Sequence, residues 1–259
     1  MRVINFDYPV IQKSYKTVNL RDLSLYIFYP KENRGHRPAI LFFNGGSFNK
    51  GPHTPAQFQH QAHYFSSIGL VAICVDYRNG HDEGFVPEQA ICDVKSAVRW
   101  VRDNHDEMGV DPNRIIMCGA SAGGYISVSS IMFPEIDDEE NTTDHVPNAL
   151  IVYAGGMDAI DIMNRLFPER VEKAESVSPM HHIRACLPST LWMCGTEDIL
   201  YEQNIDFTDR MRASGNEIEW ITYEGMDHGF FNYGNHDNIY FNRTMKDMEN
   251  FLKDGGYIR

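Results

Sequence analysis

Short apolar, β-rich runs alternate with stretches of helical period along almost the whole chain, and that alternation leaves few folds open. It is the pattern of βαβ units wound around a mostly parallel sheet. The runs predict strands over 23–29, 39–43, 70–75, 114–118, 149–153, 190–194 and 217–223. Several are apolar throughout, as a strand covered on both faces should be. Between them, Ile91, Val94, Val98 and Val101 recur at the spacing of one helical stripe, with Pro87 suited to the first helical position. This predicts a helix over 87–104, and further helices are predicted over 55–67, 122–133, 201–213 and 240–252. No repeat and no linker rich in Gly, Ser or Pro interrupts the series, so residues 1–259 read as one α/β domain.

Composition narrows the function. The 23 basic and 36 acidic residues leave a net charge of −13, which argues against nucleic acid or an anionic lipid surface as the main partner. No run approaches the roughly 18 apolar residues of a membrane span, and Met1 to Pro9 contains Asp7 and no apolar h-region, so neither span nor signal peptide is expected. The five cysteines are an odd number, and Cys74 and Cys118 lie in strongly apolar runs; buried, reduced thiols are expected, hence a cytoplasmic setting. The segment 134–147, with Asp137, Asp138, Glu139 and Glu140 in a row, reads as a solvated surface loop.

The chemistry concentrates at Gly119-Ala120-Ser121-Ala122-Gly123, a GxSxG string directly after an apolar strand and directly before a helical pattern. A serine at such a turn projects its hydroxyl above the sheet, and the helix beginning there aims its first N–H groups at any oxyanion nearby. The plainer alternative is a glycine-rich turn whose serine caps the helix. A serine hydroxyl needs a base within reach and a third group to orient that base. Asp198 follows the run TLWMC in Gly195-Thr196-Glu197-Asp198, and His228 follows EIEWITYE in a glycine-flanked loop. Ser121, Asp198 and His228 therefore each fall at the C-terminal edge of a predicted strand, where open α/β sheets build their sites. Asn44-Gly45-Gly46-Ser47-Phe48 follows another strand, and amides of Gly46 and Ser47, with that of Ala122, could form an oxyanion hole; a simple loop is the alternative.

These motifs together resemble the α/β-hydrolase superfamily, and within it the small esterases similar to hormone-sensitive lipase. NGGSF stands where that branch has HGGG followed by an aromatic; DYR (Asp76, Tyr77, Arg78), VRWV (98–101), GASAGG, GTED and DHGFF complete the pattern. The phrases VPNALIVYAGG and GNEIEWITYEGMDHGFFNY are closer still to bacterial carbohydrate esterases that remove acetyl or feruloyl groups. The resemblance implies an α/β-hydrolase fold with a small or absent cap, a serine esterase working through an acyl-enzyme, and the triad Ser121, Asp198, His228 with no cofactor. It also implies a small or oligosaccharide ester as substrate, with a homo-oligomer allowed. Asn44 replaces the usual histidine and is expected to brace the turn by its own hydrogen bonds. Phe48, Met157, Tyr201 and Phe230 are expected pocket walls on position.

Alternatives remain at this level. Asp158, after the strand at 149–153, is a second candidate for the triad acid. Asp227 is expected to be solvated or bracing. His60 with His63, and the pair His181 and His182, lack the three-ligand pattern of a catalytic metal. An amidase, exopeptidase or formamidase could use the same triad, and a non-catalytic protein could use the pocket to hold a ligand.

Overall fold

The computed structural model describes residues 4–32, 35–48, 53–80 and 86–259. Among these, eight strands form one sheet: β1 (Ile11–Val18), β2 (Arg21–Phe28), β3 (Arg37–Phe43), β4 (Val71–Val75), β5 (Val110–Ala120), β6 (Ala149–Tyr153), β7 (Thr190–Gly195) and β8 (Ile218–Tyr223). Their order is β1-β2-β4-β3-β5-β6-β7-β8; β1 and β2 run antiparallel to their neighbours, and every pairing from β4 through β8 is parallel. The helices are α1 (Gln59–Ser67), α2 (Pro87–Asp103), α3 (His105–Met108), α4 (Ala122–Met132), α5 (Ala159–Leu166), α6 (Tyr201–Ala213) and α7 (Ile239–Asp254). None of them is long and apolar enough to cross a membrane.

The apolar strands are apolar because both faces are covered. In β3, Ala39, Leu41 and Phe43 join a core with α2, α4 and α6, whereas Ile40 and Phe42 join a second core with α1 and α7. Burying an aliphatic or aromatic side chain this way stabilises the fold by about 1.5–3 kcal/mol each. The stripe Ile91, Val94, Val98 and Val101 on α2 is fully buried, with Pro87 opening the helix. From β3 the chain passes to β4 on one side and later to β5 on the other, so the sheet reverses direction of winding at β3 and leaves a crevice at the strands' carboxyl ends.

Two sequence expectations change. β1 was not anticipated: only Tyr15 of its eight residues is buried, and a bulge falls between Ser14 and Lys16, so no clean alternation marks it. It is an edge strand carrying Lys13 and Lys16, closed onto β2 through Asn19 and Leu20, both at positive φ as the favoured two-residue hairpin loop requires. The acidic segment 134–147 is irregular, as expected, but it is not simply solvated. Asp137 takes both guanidinium arms of Arg99 at 2.9 and 2.6 Å, Asp138 takes Lys16 at 2.7 and 2.8 Å, and Ser96 donates to Glu139 at 2.5 Å. Fully buried Lys95 donates to the carbonyls of Phe133, Pro134 and Ile136. The reason lies on α2, whose cations face this segment and need partners once buried.

Candidate active site

The turn between β5 and α4 is forced by close approach. A Cβ on Gly123 would lie 2.0 Å from the Phe43 carbonyl oxygen, and one on Gly119 would lie 2.4 Å from that of Gly123, so neither position accepts a side chain. Ser121 is held between them at φ 52° and ψ −114°, a sparsely populated conformation costing on the order of 1–3 kcal/mol. Its amide donates to Tyr153 O at 2.8 Å and its carbonyl accepts from Tyr125 N at 2.9 Å, which joins the sheet ladder to the first turn of α4. Its hydroxyl makes no capping bond, so the alternative of a capping serine does not describe it.

Asp198 and His228 meet from two loops stitched together past β7 and β8. Thr196 N donates to Tyr223 O at 3.1 Å, Glu197 N to Met226 O at 2.9 Å, and Gly225 N to Thr196 Oγ1 at 2.8 Å. Within this frame His228 Nδ1 lies 2.8 Å from Asp198 Oδ2, and Asp198 Oδ1 accepts from Leu200 N at 2.8 Å. The Asp198 side chain is fully buried and the imidazole is 38% exposed. With Nδ1–H donating to the carboxylate, Nε2 carries the lone pair. Neither Nε2 nor the Ser121 hydroxyl has a hydrogen-bond partner among the described residues, and no direct bond joins the two. Both residues line the same two cavities.

Those cavities differ in character. The smaller, about 110 Å³, is walled by Phe48, Tyr125, Ile162, Leu166, Ile199 and Leu200 around Ser121 and His228. The larger, about 470 Å³, is walled by His53, Gln57, Asn232 and Asn235 on the other side of the same two residues. A third cavity of about 270 Å³, between Pro87 and the turn around Arg170, touches none of Ser121, Asp198 and His228.

Of the expected oxyanion donors, Ser47 and Ala122 line the small cavity, and Gly46 and Ser47 line the large one. Gly46, Ser47 and Phe48 all have positive φ. The Gly45 amide is already taken by Gln57 Oε1 at 2.8 Å, whereas Ala122 N belongs to the first helical turn, where amides have no intrahelical acceptor. Asn44 braces the turn in part: Nδ2 donates to Gly45 O at 2.6 Å and its backbone carbonyl accepts the Tyr77 hydroxyl at 2.8 Å, while Oδ1 is buried with no partner among the described residues.

The structure places Phe48 on the small cavity's wall, edge-on to Tyr125 at 5.6 Å, and the other three expected wall residues elsewhere. Met157 is fully buried in the core, with neighbouring Gly156 on the wall instead. Leu200 takes the wall position next to Tyr201, whose ring faces Trp220 at 6.3 Å. Phe230 is packed against Tyr223 at 4.8 Å and Tyr240 at 6.0 Å. In each case a tight turn sets which of two adjacent side chains faces the site, and spacing along the chain does not reveal that parity. Gln57, Asn232 and Asn235 were missed for the same reason.

The remaining candidates fall elsewhere. Asp158 caps α5, accepting from Ile160 N at 2.9 Å and Asp161 N at 3.2 Å, and it does not meet His228. Asp227 is exposed and lies 3.8 Å from His236. His181 ends a short 3-10 turn, and among the described residues no group of three His, Cys, Asp or Glu could hold a metal ion. The cysteines are free; all are buried except half-buried Cys186.

A family model described as BD-FAE matches residues 25–149, and one described as alpha/beta hydrolase fold matches residues 131–232. The propionate-bound structure of esterase 2 from Thermogutta terrifontis is 36% identical, with a TM-score of 0.87 and coverage of 96% of this chain and 95% of that one. The same protein has been solved with butyrate bound and phosphorylated by paraoxon. An acetylxylan esterase of Xylanibacter ruminicola is 24% identical over 262 residues, 92% of this chain and 50% of its own length. A probable isoprenylcysteine alpha-carbonyl methylesterase of Arabidopsis thaliana is 26% identical over 230 residues, 78% of this chain and 47% of its own length. The chain spans about half the length of these curated relatives.

Proposed function

The chain belongs to the α/β-hydrolase superfamily, and from that premise we propose that it is a serine carboxylesterase whose nucleophile is Ser121, whose base is His228 and whose orienting acid is Asp198. One observation carries this reading: a strained serine whose hydroxyl has no partner among the described residues shares both its cavities with an imidazole held through Nδ1 by a buried carboxylate. Ser121 Oγ attacks the ester carbonyl while His228 Nε2 takes its proton. The carbonyl oxygen gathers negative charge near the amides of Gly46, Ser47 and Ala122, each such donor contributing on the order of 3–4 kcal/mol to the transition state. The intermediate collapses, the alkoxide leaves with the proton from Nε2, and water then repeats the sequence on the acyl-enzyme to release the acid. Proton transfer requires Ser121 Oγ and His228 Nε2, which line the same cavities, to come within hydrogen-bond reach as substrate binds.

The two cavities support a division of the ester. The small apolar one suits an acyl group of few carbons, in keeping with the propionate and butyrate held by the Thermogutta esterase. Its size favours acetyl over feruloyl. The larger one, walled by amides and imidazole, suits a hydroxylated alcohol, in keeping with the acetylxylan esterase among the relatives. We therefore read the substrate as an acetylated carbohydrate, the 259 residues as one domain, and the free thiols as fitting a reducing compartment.

Ser121→Ala is expected to lower hydrolysis of p-nitrophenyl acetate by at least ~10⁴-fold. Paraoxon is expected to phosphorylate the peptide carrying Ser121, read by mass spectrometry. Retained turnover in a homogeneous preparation, or labelling at another residue, overturns the mechanism.

A further inference from the structure

The polar cavity does not end at its amides. Gln57 donates through Nε2 to Asn232 Oδ1 at 3.0 Å, which zips the 3-10 turn leading into α1 against the turn that follows His228. One helical turn beyond Gln57, and one residue beyond Asn232, the zip continues as rings: His60 stacks on Tyr233 at 3.7 Å with 22° between planes. Tyr8 meets His60 edge-on at 5.3 Å, its hydroxyl 2.8 Å from Nδ1, and lies flat on His63 at 4.0 Å. Phe241 meets Tyr233 edge-on at 5.3 Å. Five rings thus form a row leading away from the cavity.

Tyr233 lies between two cavity-wall residues, Asn232 and Asn235, and at 50% exposure it is the one exposed large aromatic among the described residues. Both neighbours are tied down, each side-chain amide donating to Gly229 O, at 2.9 and 3.0 Å, so the turn presenting the ring is rigid. Burial lowers the basicity of His60, which favours the neutral ring beneath the tyrosine. An exposed ring with an amide in the same turn, Asn235, and a carboxylate beside the ring stacked on it, Asp7 at 4.0 Å from His60 Nε2, matches a pyranose. Its C–H face can be buried on the ring while its hydroxyls meet polar neighbours. The cavity is sized for the sugar that carries the ester; the row of rings begins where the next sugar of a chain would emerge.

We infer that the Tyr233–His60 ring stack is a carbohydrate subsite that binds the sugar residues adjoining the acetylated one, making the enzyme selective for oligosaccharide over monosaccharide esters. This rests on the proposed reading of the alcohol half as a carbohydrate. The subsite is a specificity determinant remote from the reacting atoms, so its effect falls on KM and not on kcat.

The experiment compares acetylated xylose with acetylated xylotriose, with ethyl acetate as a substrate that cannot reach the rings. For the wild-type protein kcat/KM is expected to rise about fivefold or more from xylose to xylotriose. Tyr233→Ala is expected to remove that rise through KM, and Tyr233→Phe to restore most of it. A chain-length profile that is flat, or unchanged by Tyr233→Ala, overturns the subsite. Hydrolysis of ethyl acetate alongside failure on both sugars overturns the subsite and spares the esterase reading. Failure on all three substrates instead strikes the esterase reading. The subsite is then decided by titrating the Ser121→Ala protein with unacetylated xylotriose: binding weakened about fivefold by Tyr233→Ala upholds it, and equal or absent binding overturns it. Because Tyr233 is a surface residue, matched thermal melts separate these effects from misfolding.

Discussion

The rim around Ser121 and the acidic segment 134–147 both gather polar side chains, yet they differ in what is left unpaired. At the rim, a serine hydroxyl, an imidazole Nε2 and the amides of Gly46, Ser47 and Ala122 have no hydrogen-bond partner among the described residues and border two cavities. In the acidic segment, Asp137 is saturated by Arg99, Asp138 by Lys16, and Lys95 by three carbonyls. Arg102 likewise holds the carbonyls of Pro112 and Val146. Hydrogen-bonding capacity aimed into a cavity can act on a substrate; capacity spent within the fold can only hold it together. The contrast therefore separates a site from a clasp even though both are rich in charge.

The sharpest way to break this contrast is to disturb each region and ask which quantity moves. Asp198→Asn keeps the shape of the side chain but not its hold on the imidazole tautomer, and in a serine triad a change of this kind costs about 10⁴-fold in kcat. The expected outcome is a loss of that order on p-nitrophenyl acetate with a thermal midpoint within a few degrees of wild type. A loss smaller than about tenfold would mean that the buried carboxylate is structural, and the rim would then resemble the clasp.

The clasp should respond the other way. Arg99→Ala removes a two-armed ion pair whose cation is 6% exposed and leaves Asp137 with the Glu139 amide and the longer-range attraction of Lys95. Because the Asp137 side chain is one-fifth exposed, the expected loss is about 2 kcal/mol, less than for a wholly buried pair. That corresponds to a midpoint lower by roughly 4–8 °C. Esterase turnover at 25 °C, as measured on p-nitrophenyl acetate, should stay within about twofold. A variant that melts normally but turns over poorly would couple the two regions and erase the distinction.

How much of this was legible in the sequence follows from the same division. Strand-by-strand apolarity announced the doubly covered sheet, because burial on both faces removes every polar residue from β4, β6 and most of β3. The motifs around Ser121, Asp198 and His228 were legible as candidates because each needs glycines and a strand end beside it. β1 was hidden, since an edge strand with one buried residue has almost no apolar pattern to read. The pocket walls were hidden by turn parity: Gly156 in place of Met157, Leu200 in place of Tyr201. The acidic run was misread as solvated because a string of carboxylates looks the same whether it faces water or the inward-turned cations of α2. Lys95, Arg99 and Arg102 fall on that helix at spacings of four and three, and this was the available signal.

The smallest effect, and the finest probe of the clasp, is its response to acid. The Arg99 guanidinium, with help from the Glu139 backbone amide, lowers the Asp137 carboxyl from 3.8 to about 2. A carboxyl lowered by folding favours the fold while ionised. Its contribution, at most about 2 kcal/mol, is whole above pH ~4 and is lost as the pH falls from there toward ~2. His145 acts earlier on the same scale. Burial, then the nearby Lys95 and Arg99 cations, lower its basicity from 6.5, so the unfolded chain takes up its proton more readily and stability starts to decline as the pH drops below about 6.5. Urea unfolding of the wild type and Asp137→Asn should therefore differ by up to about 2 kcal/mol near pH 6 and converge near pH 2, while His145→Gln should flatten the decline that begins below about pH 6.5. A difference between wild type and Asp137→Asn that stays constant across this range would show that the carboxylate's charge does not hold the clasp, and that hydrogen-bond geometry alone does.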